Sequence, residues 1–187
     1  MWWNGTNAAD REAGTVDDVT VHPATDKRLM VPGTDAACWF ELPFAVRSKS
    51  NYRQGAESDW AAQKQFTADV AGEARIARPG DWPVCDPDVR LDKRPQVVAF
   101  LWARTLIDAG NLSKSILDAC ESILYVNDAQ CRHVGQLVER AGTNQRGICG
   151  FALLTPGASD LDVIDITAAL ARTTLAQFSP PSASSVL

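Results

Sequence analysis

The stretch from Val97 to Val138 restricts the fold more than any other, because its apolar period changes twice within about forty residues. Val97-Val98-Ala99-Phe100-Leu101-Trp102 is an unbroken apolar run, the signature of a buried strand. From Leu112 the apolar residues Ile116, Ala119 and Ile123, with Leu117, Cys120 and Leu124, recur at helical spacing to about Leu124. Asn111, Lys114, Asp118 and Glu121 fall at offsets of three, four and three, one polar stripe along that helix. Tyr125 to Asp128 then reads as a turn, and Val134, Leu137 and Val138 as a strand-like segment.

The flanking segments extend the same alternation. Cys38 to Phe44 predicts a first strand ending at Pro43, and Ser58 to about Ile76 a helix stopped by Pro79 and Gly80. Phe151 to Leu154 predicts a further strand, and Asp160 is placed to cap a last helix over about Leu161 to Phe178. The order points to an α/β (α+β) domain, a small mixed sheet with helices packed on one side. Residues 1–36 are expected to form an acidic arm, 37–157 the body, and 158–187 a C-terminal helix and frayed tail.

Composition excludes several function classes. No apolar run approaches the roughly 20 residues a bilayer span needs, and the N-terminus lacks a basic-then-apolar leader, so no membrane partner and a cytoplasmic location are expected, in a bacterial cell or a virus-infected host cell. Five cysteines at irregular spacings and two histidines do not make a zinc ribbon or a disulfide framework. The net charge of −5 would ordinarily argue against a nucleic-acid partner. That charge resides in the two ends, however. Residues 37–157 carry fourteen acids and fourteen bases, and Phe44 to Gly55 holds Arg47, Lys49 and Arg53 with no acid. Such a loop can face phosphate.

The chemistry-bearing window is Leu106 to Gln130. Asp108 lies at the end of a predicted strand, Lys114 near the start of the next helix, and Asp128 in the turn after it. This layout is expected to bring two carboxylates to one end of the element pair. Mg²⁺ takes one or two carboxylates while retaining water and substrate phosphate. A metal so held can polarise a phosphodiester and lower the pKa of an attacking water, and a lysine can offset charge developing on the phosphate. Each acid taken alone also reads as a cap or turn former, and Asn111 as a helix cap.

The same window resembles the RusA-like Holliday-junction resolvases, whose motif runs approximately Asp-x-Asp-Asn-Leu-x-Lys-x-x-x-Asp-Ala, followed by an Asp-Asp-x-Gln turn. Asn111-Leu112, Lys114, Asp118-Ala119 and Asp128-Ala129-Gln130 match in type and spacing. Leu42-Pro43 followed by Ser48-Lys49-Ser50-Asn51-Tyr52-Arg53 is similar to the family's first strand and basic loop. The resemblance spans about residues 38 to 155 and implies a small α/β homodimer cutting four-way DNA junctions with Mg²⁺, or Mn²⁺ in its place. It implies Asp108 and Asp128 as metal ligands, Asp108, Asp128 and Lys114 as catalytic residues, and Lys49, Tyr52, Arg53 and Asn111 as DNA contacts. Two positions depart from the motif: the second acid falls at Gly110, and the first acid of the turn at Asn127. The alternative is therefore a catalytically inactive RusA-like protein that binds branched DNA or a protein partner without cutting.

Overall fold

The computed structural model describes residues 27–46, 57–83 and 86–178. Its elements follow the order β1 (Thr34–Leu42), α1 (Glu57–Ala77), β2 (Val97–Thr105), α2 (Ala109–Cys120), β3 (Cys131–Arg140), β4 (Arg146–Leu154) and α3 (Asp160–Gln177). The four strands form one mixed sheet in the order β1-β4-β2-β3. β4 runs antiparallel to both β1 and β2, whereas β2 and β3 are parallel, with Val97 opposite Cys131 and Thr105 opposite Arg140. A parallel pair needs a crossover, and α2 supplies it.

The expected mixed α/β class is borne out, but the helices do not all lie on one side. Side chains alternate across a strand, and both alternating sets of the central strands are apolar. Phe40, Leu42, Leu101 and Phe151 point toward α1 and α2 and pack with Val70, Leu112 and Ile116. Trp39, Phe100, Ile148 and Ala152 point the other way and meet Val163, Ile166 and Leu170 of α3. With both faces apolar, one helical layer cannot cover the sheet. Burying each such leucine or phenylalanine contributes roughly 1.5–3 kcal/mol.

The folded body also starts before residue 37. Gly33, at φ +79°, turns the chain so that Leu29 donates to the Ala37 carbonyl at 2.9 Å and Trp39 to that of Lys27 at 3.0 Å. Leu29 and Val31 are buried under α3, so residues 27–36 belong to the fold rather than to an arm. α3 likewise is a structural layer of the body rather than an appendage. The acidic segment 1–26 lies outside the described residues.

Candidate functional site

Asp108 follows β2 by three residues and occupies the N-cap position of α2. Its carbonyl accepts from the Asn111 and Leu112 amides, both at 3.0 Å. Its carboxylate makes no capping hydrogen bond. Arg140, the last residue of β3, instead donates from Nη2 to Asp108 Oδ1 at 3.1 Å. Both side chains are about three-quarters exposed, so the pair contributes roughly 0–1 kcal/mol. Asn111 was expected to cap the helix. It is the third helical residue, because the helix begins at Ala109, ahead of the first apolar residue that signals its period.

Lys114 is exposed on the second turn of α2, six residues beyond Asp108 and about 9 Å along the axis at about 1.5 Å per residue. Helical side chains lean toward the N-terminus, so a lysine here extends toward the end that carries Asp108.

α2 stops at Cys120 rather than Leu124. Ser122 adopts φ +65° and donates its amide to the Tyr125 carbonyl at 2.6 Å, folding the buried Ile123 and Leu124 back beneath the helix. The Tyr125 hydroxyl donates to the Leu117 carbonyl at 2.6 Å, and burial pushes the phenol far above its ordinary range.

The turn that follows is tightly specified. Asn127 Oδ1 accepts from the Ala129 amide at 2.9 Å, and Gln130 Oε1 accepts from the Val126 amide at 2.8 Å and the Asn127 amide at 3.2 Å. Gln130 Nε2 donates to the Pro95 carbonyl at 2.9 Å. Asn127 and Gln130 thus form a reciprocal capping box around a single 3₁₀ turn, Asp128–Gln130. Where the resolvase motif has an acid, Asn127 performs a structural task.

The expected convergence of Asp108 and Asp128 does not occur within one chain. Asp108 contacts the C-terminal end of β3, whereas Asp128 precedes its N-terminal end. Nine residue steps at about 3.3 Å separate those ends by roughly 30 Å. The physical reason is the parallel pairing of β2 and β3: the crossover helix carries the chain back to the starting edge of the sheet, so the two ends of the helix serve opposite poles.

Asp108 meets a guanidinium rather than a second carboxylate, and no group of three metal-ligating side chains exists among the described residues. Lys49, Tyr52 and Arg53 lie outside the described residues.

The pole around Asp108 has a composition that sequence reasoning missed. Arg104 and Arg146 are register partners on β2 and β4, and Arg104 pairs with Glu139 at 3.3 Å. Arg104 and Arg146 lie on the α3 face, where Arg146 sits over the Phe178 ring at 4.3 Å, whereas Arg140 and Asp108 lie on the α2 face of the same end of the sheet, and Glu41 lies near the end of β1. β1 ends here too, with Leu42 opposite Gly147, so the described chain leaves toward residue 47 from this pole. The only signal in the sequence was a basic residue at the end of three separate strands, and their adjacency emerges only from the strand order.

No protein-family model and no curated protein match this chain. Among solved structures, a chain of the crystal structure of the HypE-HypF complex is similar at 12% identity with a TM-score of 0.31, over 73% of this chain and 38% of that one. A likeness of that size carries no argument about fold or function.

Proposed function

We propose that this chain is a RusA-like protein that engages branched DNA at the pole formed by Asp108, Asn111, Lys114 and Arg140, and that a single copy binds without cutting. The observation that supports binding is that Arg104, Arg140 and Arg146, from three different strands, all come to the end of the sheet that carries Asp108, on its two faces. Cations gathered from different elements match the spaced phosphates of a nucleic-acid strand. The observation against cutting by one copy is the roughly 30 Å between the Asp108 and Asp128 ends of β3.

The test uses a labelled four-way junction and plain duplex, titrated between about 50 and 200 mM salt. Tighter binding to the junction is expected, and Lys114→Ala and Arg140→Ala should each lower the salt slope by about 1. Equal, negligible binding to both substrates across that range refutes the reading.

A second reading, Mg²⁺-dependent resolution of four-way junctions, is favoured by one further feature. Asp108 caps the start of α2 and the Lys114 side chain, from the second turn, leans toward that start, an arrangement suited to holding a cation and a phosphate together. Metal-dependent incision that disappears in both Asp108→Asn and Asp128→Asn would establish it. The absence of incision with Mg²⁺ or Mn²⁺ would eliminate it.

A further inference from the structure

One flank of α1 carries an open groove of about 760 Å³, and its lining includes Trp60, Gln63, Lys64, Ala68, Ala71 and Arg75. Trp60, Lys64, Ala68, Ala71 and Arg75 recur at steps of four, four, three and four, so they form one stripe beside the stripe of Phe66, Val70 and Ala74 that faces the sheet. Trp60 is 61% exposed, with the Lys64 ammonium 5.0 Å from its ring centroid. Gln63 is buried, yet its Nε2 has no hydrogen-bond partner among the described residues. A buried amide donor is costly to leave unpaired, and an acceptor brought into the groove would satisfy it. The lining holds two cations and no acid. An occupant should therefore bring an apolar ring, an acceptor and negative charge.

We infer that this groove along α1 is the docking surface for residues 1–26 of the same chain, with Trp2 and Trp3 seated against Trp60 and the alanine floor and the acids of the segment meeting Lys64 and Arg75.

The segment has the complementary chemistry. Residues 1–26 carry Asp10, Glu12, Asp17, Asp18 and Asp26 against the single base Arg11, and they hold two of the six tryptophans of the chain. Paired tryptophans on a polar segment gain most by leaving water for an apolar surface.

The place of entry suits the same groove. Lys27 lies opposite Trp39 on the outer edge of β1, the strand that α1 covers. Arg28 reaches Asp81, four residues beyond the end of α1, at 3.2 Å. Trp3 is twenty-four residues from Lys27, a length that can span at most roughly 80 Å. The fifteen residues from Trp60 to Arg75 make the groove only about 22 Å long. Reach is therefore not limiting.

Charge spacing favours this occupant over a nucleic-acid strand. Such a strand presents a phosphate every few ångströms and calls for cations all along its track. Lys64 and Arg75 instead stand roughly 16 Å apart along the helix, with alanines between them. Two separated cations on an apolar floor match a chain whose acids are sparse and whose anchors are aromatic.

The experiment uses the full chain with photoreactive benzoyl-phenylalanine in place of Asn4, beside Trp3. Isotopically light and heavy copies are mixed and irradiated, and the cross-linked peptides are identified by mass spectrometry. Cross-links from position 4 to residues 60–75 are expected, joining light to light and heavy to heavy. Trp60→Ala, which removes a mostly exposed side chain, should lower their yield relative to undocked chain about tenfold without changing the circular dichroism spectrum. Lys64→Glu should also lower the yield, and so should raising the salt from about 50 to 500 mM. Cross-links that miss α1, or a yield that Trp60→Ala leaves unchanged, overturn the inference. Light-to-heavy cross-links at α1 would assign the groove to a second copy and overturn it as well. So would a single-stranded oligonucleotide that cross-links at Trp60 while position 4 reacts elsewhere.

Discussion

Gly110 has nothing within 4 Å of the place a Cβ would occupy, so an aspartate there projects into open space beside Asp108. It also falls in the first turn of α2, which carries no acid. A negative charge at a helix N-terminus is worth about 0.3–1 kcal/mol, and replacing glycine inside a helix adds a few tenths more. Gly110→Asp is therefore expected to raise the thermal midpoint by about 1–4 °C. Calorimetric titration with Mg²⁺ should show higher affinity in this variant than in the unaltered chain. A fall in midpoint would mean that the space is not open. The motif match around Asn111, Lys114 and Asp128 was visible at this scale, and so were its two departures. What the residues alone did not reveal was Arg140 as the partner of Asp108, since thirty-two positions separate them and only strand register unites them.

At the scale of elements, period and punctuation predicted all four strands and three helices, with boundaries displaced where an apolar residue did not coincide with the end of a hydrogen-bonded run. α3 illustrates the displacement. Asp160 was the expected cap, yet Ser159 holds that position: its hydroxyl accepts from the Asp162 amide at 3.2 Å, while Asp162 Oδ2 accepts from the Ser159 amide at 2.8 Å. The Ser159 hydroxyl, which also donates to Asp162 Oδ2 at 2.7 Å, and then the Ser159 amide hold the Asp162 carboxyl below its ordinary range. Ser159→Ala should cost about 1 kcal/mol, whereas Asp160→Ala, which removes the ion pair with Arg132 but leaves the cap, should cost less. Chemical denaturation of the two variants side by side checks the order. The packing of the same helix on the sheet supplies a second test. A Cβ at Gly150 would clash with Thr174 Oγ1 and crowd Leu170 Cδ1, so Gly150→Ala must displace these α3 side chains and should cost about 1–3 kcal/mol, read from the same denaturation curves.

For the whole molecule, the layered architecture buries thiols whose spacing in the sequence makes neither a zinc ribbon nor a disulfide framework. Cys38, Cys120 and Cys149 are buried between the sheet and α1 and α2, and Cys131 lies at the edge of that core. Burial pushes Cys38 up to about 12, and burial followed by the nearby Asp128 pushes Cys131 up to about 12. An unfolded thiol ionises near pH 8.5. Below that pH both states hold the proton. Between roughly pH 9 and 12 only the unfolded chain releases it, so stability should fall as pH rises, by up to about 1.4 kcal/mol per pH unit for each such thiol. Urea midpoints measured from pH 8 to 10.5 should decline accordingly, and a flat profile would contradict the burial.

The strands, the helices, the free thiols and the acid–lysine–acid spacing were all written locally, in periods and in residue types that act within a turn or two of chain. Which helix covers which face, which edge of the sheet has no strand partner among the described residues, and the distance between Asp108 and Asp128 were not. These depend on the order and direction in which strands pair, and that order is set by the summed burial of two cores. A parallel β2–β3 pair sends the two ends of one short helix to opposite poles, a consequence of chain direction that no spacing of residues along the sequence encodes.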